Sequence, residues 1–286
     1  MKKLVYYSVG FNSNYNKLLE ISLKTLKLHY TDDILIITDY ANSLTLKENE
    51  IFNDVIFFII ETPKDIFLSS LNKIKIFDYD KFFEYDVVLY LDCDTIIINN
   101  IDCIFEKTIE YNCVAIMQDR NEFGDKLKLN HFDNTLYSYL GNFWGKYLYN
   151  NEELLIENER QALNSGVMCI PATQKSKIIL SDIYNHGIID HTKVELLDVH
   201  QSSSEQPYIN FHLFKNSYFY NIDNVYLAYS IKDDELYNSN FNDIKDYNNE
   251  NFENYIQKYS ILHFYGPIWG SFEVKYDRLL KMYNKK

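Results

Sequence analysis

Glycine and proline are scarce in this chain, eight and four among 286 residues. No linker rich in Gly, Pro or Ser interrupts it, so composition marks no domain boundary, and collagen-like or low-complexity architectures are excluded. Basic charge is also short. Lys and Arg number 28 against 41 Asp and Glu, a formal net charge of −13, and the basic footprint of a nucleic-acid binder is missing. Cysteines are few: Cys93, Cys103, Cys113 and Cys169 form no CxxC pair and no dense framework. Reduced, buried thiols and a cytoplasmic compartment are the expectation. Long apolar runs are lacking too. Met1-Lys2-Lys3 leads into LVYYSVGF, too short for a bilayer span and without a cleavage-site pattern, and no later segment reaches spanning length. A first strand, no signal peptide and no transmembrane segment are expected.

What is present is apolar and aromatic. Hydrophobic residues make up 47% and aromatic ones 16%, with 26 Tyr and 19 Phe. That suffices for one sizeable core, and it strips any single aromatic of value as a functional signal. The acidic balance does not exclude nucleotide ligands, because a bound cation reverses the local field.

Leu4 to Val9 is a continuous apolar run closed by Gly10, a buried-strand pattern. Tyr15 to His29 has helical spacing, and Ile34 to Thr38 and Val55 to Ile60 are short strand-like runs. Ser69 to Phe83 fits a helix through Leu71, Ile74, Phe77 and Phe82, and Val87 to Leu91 reads as a central strand. The order predicts an α/β fold with a mostly parallel sheet flanked by helices. Cys113 to Met117 and Val167 to Ile170 add strands, and Lys175 to Tyr184 a helix. Gln118 to Glu159 shows no period, leaving a lid, an insertion or unphased helices open. Beyond Glu205, helical signals alternate with VYLAY and ILHF.

The most informative segment is VVLYLDCDTIII, in which five apolar residues run into Asp92-Cys93-Asp94. Ligands collect at the carboxyl ends of strands in open α/β sheets. Two carboxylates placed there reach one ion if the backbone turns or one acts through water, and Mn2+ or Mg2+ prefers such oxygens. An ion bridging a diphosphate neutralises charge on a nucleotide leaving group. The plain alternative is a strand end whose carboxylates are solvated or cap a helix. Apolar residues on both sides of the pair argue against it, because buried unpaired carboxylates are expensive. A phosphatase of the haloacid dehalogenase type also presents Asp-x-Asp after a hydrophobic strand. It does so on its first strand with Gly following, whereas here Thr95 follows on about the fourth.

Five segments occur in order. FNSNYNKLLEISLKTL carries Asn12 and Tyr15; NKIKIFDYDKFFEYDVVLYLDCD carries Lys73, Lys75 and the acidic pair. Asn164-Ser165-Gly166-Val167-Met168, Glu205-Gln206-Pro207-Tyr208-Ile209-Asn210 and Ile261-Leu262-His263-Phe264-Tyr265-Gly266 follow. Each has a bland reading. Tyr15 is an ordinary helix start, the lysines are solvated helix residues, and NSG is a turn. SSSEQ is a capping segment and His263 a core histidine. In their order the segments resemble glycosyltransferase family 8, the glycogenin and lipopolysaccharide galactosyltransferase group, over most of the chain.

The resemblance implies a GT-A fold, one domain over 1–286, with a nucleotide-binding half (1–117) and a sugar- and acceptor-side half (118–286). It implies transfer of glucose or galactose from a UDP-sugar to a saccharide or glycan acceptor, with retention of configuration. Asp92, Asp94 and His263 become the ligands of Mn2+, with Mg2+ possible. Asn12, Tyr15, Lys73 (or Lys75), Asp92, Cys93, Asn164, Ser165 and Gly266 become donor-binding residues, Tyr15 beside the uracil. Gln206 takes the place nearest the anomeric carbon. Glu205, where the family has Asp, binds sugar hydroxyls, its extra methylene shifting the carboxylate by about 1 Å. The family continues after its Gly with a Lys that holds the diphosphate. This chain has Gly266-Pro267-Ile268-Trp269-Gly270 without one, and Lys275 or Arg278 are the nearby substitutes. Two alternatives stay open: a nucleotide-sugar-binding protein with weakened turnover, and the phosphatase. The oligomeric state is left open.

Overall fold

The computed structural model describes residues 1–10, 14–119, 145, 148–149, 162–192, 205–229 and 258–265. Asn12, Gly266, Trp269, Lys275 and Arg278, and most of the stretch 118–159, lie outside the described residues. The elements run β1 (Lys3–Ser8), α1 (Asn14–Leu26), β2 (Asp33–Asp39), α2 (Tyr40–Lys47), β3 (Ile56–Ile60), α3 (Ile66–Leu71), β4 (Val87–Leu91), β5 (Thr95–Ile97) and α4 (Asp102–Tyr111). They continue with β6 (Val114–Gln118), β7 (Leu163–Pro171), α5 (Gln174–His191), α6 (Gln206–Lys215), β8 (Phe219–Asn221), β9 (Val225–Tyr229) and β10 (Ile261–Tyr265).

Among the described residues, seven strands form one sheet in the order β3-β2-β1-β4-β7-β6-β8, and three form a second in the order β5-β10-β9. In the large sheet β7 alone runs antiparallel to its neighbours β4 and β6; the other pairings are parallel. The fold is the predicted mostly parallel sheet with helices on its faces. Strands covered on both faces read as unbroken apolar runs, which is why β1, β4 and β6 stood out. Alternate residues feed two separate cores. Val5, Tyr7 and Leu89 pack with α1, β5 and α4, while Leu4, Tyr6 and Tyr90 pack with the 72–78 segment, α5 and α6. Both sheets draw strands from either side of residue 117. No helix among the described residues is long and apolar enough to cross a membrane.

Three expectations change. Ser69 to Phe83 is not one helix. α3 ends at Leu71, and Asn72–Asp78 winds as a 3-10 helix, followed by a second over Phe82–Glu84. Asn72, Lys73, Ile74, Ile76 and Phe77 are all buried, an almost all-round burial that a one-sided α stripe does not provide. Val167 to Ile170 is the middle of a nine-residue strand that begins at Leu163 and contains Asn164-Ser165-Gly166. That triplet is therefore strand, not a simple turn. Its register against β6 jumps from Ile116↔Met168 to Met117↔Asn164, a bulge that frees Ser165 and Gly166 from ordinary pairing. α2, α4 and β5 had no expectation at all. Asp39 closes β2 and opens α2 in one residue, its carboxylate accepting from Asn42 N at 3.0 Å.

Candidate functional site

The strand order reverses between β1 and β4. From β1 the chain steps outward to β2 and β3, then returns to the other side of β1 as β4. A crevice at the carboxyl end of such a switch point is where ligands bind in open α/β sheets. Asp92 stands there, its backbone N–H donating to Gly166 O at 2.8 Å as the last rung toward β7. The chain then turns through Cys93 and Asp94, and the Thr95 hydroxyl closes the turn by donating to Asp92 O at 2.8 Å. β5 starts at Thr95, and its antiparallel register with β10 sets Thr95 opposite His263. A histidine about 170 residues downstream is thereby delivered to the acidic turn.

Asp92, Asp94 and His263 each offer a ligand atom, all within 4.8 Å of one another. His263 Nε2 lies 3.2 Å from Asp94 Oδ1 and 3.5 Å from Asp92 Oδ2. Gly166 makes the approach possible. A Cβ on it would stand 2.1 Å from His263 Cε1 and 2.6 Å from Nε2, so the imidazole lies flat against bare backbone. The need is for close approach rather than an unusual φ. Asn164 Oδ1 accepts from Gly166 N at 2.9 Å and holds the bulge in place.

A second group of charges adjoins the first. The Lys73 ammonium lies 3.1 Å from Asp92 Oδ1 and 2.8 Å from Glu205 Oε1, and Tyr90 Oη donates to the same Asp92 oxygen. Ser165 Oγ donates to Glu205 Oε1 at 2.7 Å, and Ser165 N donates to Gln206 Oε1 at 3.1 Å. Gln206 Nε2 is buried without a hydrogen-bond partner among the described residues.

The electrostatics follow from this packing. Burial alone would raise the Asp92 carboxyl, but Lys73, His263 and Tyr90 hold it well below the usual carboxylate range. Burial pulls Lys73 down, yet Asp92 and Glu205 together raise it further. Burial likewise lowers His263, and Asp94 with Asp92 overrides it, pushing the imidazole up to about 10. An imidazolium is no ligand, so a cation entering here displaces that proton. Three carboxylates against one ammonium leave two negative charges beside a neutral imidazole, the charge a divalent ion cancels. Carboxylate oxygens with one imidazole nitrogen suit Mn2+ or Mg2+. The cluster can hold a divalent metal.

The remaining expected residues fall as follows. Tyr15, at the start of α1, has its phenol pushed up to about 12 by burial and then by Asp94 and Asp92, so it borders the acidic pair. The Cys93 side chain is part of the core, with its thiol toward Ser8 O at 3.7 Å and raised well above its usual range by burial and then Asp92 and Asp94. Of the two lysines, Lys73 enters the site, whereas Lys75 lies over the Tyr184 ring at 5.3 Å. The reading of Lys73 as a solvated helix residue is overturned by its burial at 6% exposure. Glu205 occupies the N-cap position of α6 but makes no side-chain capping bond; its carboxylate goes to Lys73 and Ser165 instead.

Sequence reasoning passed over Tyr90, which a period-two reading of VVLYL places on one face with Val88 and Asp92. It also passed over Asp119, a buried carboxylate directly after β6, at the same sheet edge as Asp92. Its signal was an acid closing an apolar strand.

Compared with solved structures, the chain superposes on the galactosyltransferase LgtC in complex with donor and acceptor sugar analogues. The TM-score is 0.55 at 14% identity, over 93% of this chain and 87% of that one. An active-site mutant of LgtC gives 0.58 at 14% identity, over 98% and 95%. The apo structure of WbbM, a bifunctional glycosyltransferase, gives 0.51 at 14% identity, over 93% of this chain and 46% of that one. At such identity the likeness shows the fold, which is of the GT-A type. No family model matches the chain, and no curated protein matches it.

Proposed function

We propose that the chain is a metal-dependent, retaining glycosyltransferase that moves glucose or galactose from a UDP-sugar to a saccharide or glycan acceptor. The observation that carries the reading is the convergence of Asp92, Asp94 and His263 at the carboxyl end of β4 in a GT-A fold. These three residues would hold Mn2+, or Mg2+ in its place, and the ion would supply charge neutralisation for a departing diphosphate. Lys73 keeps Asp92 ionised and oriented, and Tyr90 fixes the same oxygen.

Glu205 is drawn to Lys73 and Ser165, which suits it to holding sugar hydroxyls and ill suits it to attack. Gln206 has its carbonyl oxygen fixed by Ser165, leaving an amide N–H to donate to a sugar oxygen near the anomeric centre. An amide is a poor nucleophile, so retention here runs by attack of the acceptor hydroxyl on the face the diphosphate leaves, not through a carboxylate adduct of the glycosidase kind. Tyr15 and the 164–166 segment line the donor, and 1–117 and 118–286 divide nucleotide from sugar and acceptor.

The test is to incubate the protein with UDP-glucose or UDP-galactose and Mn2+ and to follow UDP release. Release that needs Mn2+ and is lost in Asp94→Ala and His263→Ala is expected. UDP and Mn2+ binding without release would make the chain a binding protein. Inorganic phosphate from simple esters would replace the reading with phosphatase chemistry.

A further inference from the structure

Beneath the acidic turn lies a line of hydroxyls that no step of the transfer uses. Tyr7 on β1, Ser22 on α1 and Thr95 at the start of β5 are wholly inaccessible. Tyr7 Oη is 3.0 Å from Ser22 Oγ, Ser22 Oγ is 2.9 Å from Thr95 Oγ1, and Thr95 Oγ1 donates to Asp92 O at 2.8 Å. Each hydroxyl has one proton to give, and a carbonyl only accepts. Thr95 spends its proton on Asp92 O, so Ser22 must donate to Thr95, and Tyr7 to Ser22. The line runs one way, toward Asp92, and each bond polarises the next. One turn along the same helix, Thr25 Oγ1 accepts from Ile97 N at 3.1 Å, so α1 also grips β5 beyond the turn.

In an extended strand, residues two apart share a face but stand about 7 Å from each other. The turn that Thr95 closes is what draws Asp92 and Asp94 toward one ion. We propose that the Tyr7–Ser22–Thr95 hydroxyl line sets the affinity of the site for its divalent cation by fixing this turn, with Thr95 as a positioning residue. The inference rests on the reading of Asp92, Asp94 and His263 as cation ligands.

The experiment measures Mn2+ binding to the full chain, without donor, by the electron paramagnetic resonance of the free ion. Thr95→Val, which keeps the shape and removes the hydroxyl, weakens binding at least about tenfold, the effect typical of a lost outer-shell partner. Thr95→Ser restores it to within about threefold, and Tyr7→Phe weakens it about threefold. A matched control sits in the core of the other sheet face. There Tyr218 Oη lies 3.0 Å from Ser176 Oγ and 3.3 Å from Thr173 Oγ1, all away from the site. Tyr218→Phe loses a comparable buried hydroxyl and leaves Mn2+ affinity unchanged.

Wild-type affinity in folded Thr95→Val overturns the inference, as does an equal loss in Tyr218→Phe. Should Thr95→Val fail to fold, Tyr7→Phe decides: weaker binding supports the hydroxyl line, and unchanged binding overturns it. A wild-type protein that binds no Mn2+ overturns the metal reading and this inference together. Wild-type binding with an indifferent Thr95→Val overturns the inference alone.

Discussion

Among the described residues, a buried histidine sits beside carboxylates at the end of β4 and another between α5 and α6, with opposite results. At the end of β4, His263 is 2% exposed, and Asp94 and Asp92 overcome burial to push it up to about 10. Between α5 and α6, His212 is 8% exposed, and burial followed by His186 pushes it down to about 4 against a smaller pull from Asp182. His186 Nδ1 lies 3.1 Å from His212 Nε2, and His186 Nε2 lies 3.5 Å from Asp190. The second cluster keeps His212 neutral and satisfies it with a neighbouring ring, which is how a core accommodates polar groups. The first gathers acid around a histidine and a lysine far beyond what the fold needs. Charge density that packing does not require is the mark of a ligand site.

The strongest way to break the contrast is a single methyl group in each place. Gly166→Ala puts a Cβ 2.1 Å from His263 Cε1, and the backbone on which it sits is held by Asp92 N on its carbonyl and by Asn164 Oδ1 on its N–H. His263 has to leave the cluster. Mn2+ affinity should fall by more than about 100-fold, beyond the range of an outer-shell loss, read by titration of the ion, with Mn2+-dependent UDP release lost alongside. Gly187→Ala, next to His186 on α5, meets the side-chain ends of Leu71 at 3.1 and 3.2 Å, a milder crowding than at Gly166, and Phe67 Cζ at an ordinary 3.6 Å. Removing a helical glycine recovers about 1 kcal/mol against that crowding. Its Mn2+ affinity should match wild type. Equal behaviour of the two variants would dissolve the distinction between the clusters.

A smaller effect separates their energetics. Lys73→Met leaves half-buried Asp92 and buried Glu205 without their shared cation, a loss of about 3 kcal/mol. Melting in the presence of a chelator should fall by roughly 5 °C. Because the cost comes from stranded charge rather than lost packing, Lys73→Met with Glu205→Gln should melt above Lys73→Met alone. A double variant no better than the single one would show that Lys73 acts through packing.

How far the sequence could be read divides along the same line. β1 and β4 were legible because parallel strands buried on both faces are continuous apolar runs. Asp92 and Asp94 were legible because carboxylates rarely interrupt such a run. Lys73 was ambiguous: a lysine in NKIKIFD looks solvated until the segment winds as a 3-10 helix and turns it inward. Ser165 and Gly166 looked like a turn because a bulged strand uses the same polar, small residues. Ser22, Thr25 and Thr95 gave no signal, since a hydroxyl on a helix or strand acquires meaning only from its partner. Tyr7 and Thr95 are 88 positions apart, and nothing local joins them. The pairing of β5 with β10 was equally hidden, so His263 gained its place only through the ordered motifs and not through any property of ILHFY.

The mildest test lies in acid. His212 has a folded value near 4, below the 6.5 of a free imidazole, so the unfolded chain binds the extra proton between these limits. Stability from this residue is complete above about pH 6.5 and drains away as the pH falls toward 4. His263 runs the other way: its folded value is raised, so its contribution is complete below about 6.5 and is lost as the pH climbs toward 10. In chelator, wild type should lose about 2 kcal/mol through His212 between pH 7 and pH 5, a few degrees of melting temperature. The groups around His212 that set this are His186, Asp182 and Lys215, with Asp190 on the far side of His186. His212→Gln keeps a hydrogen-bonding group but cannot take up the proton. Subtracting its melting curve from that of wild type cancels the titrations that are not coupled to His212. A loss that grows from pH 7 to pH 5 places the neutral histidine between α5 and α6, a flat difference would give His212 an unshifted imidazole, and a change of opposite sign would put it in the same charged class as His263.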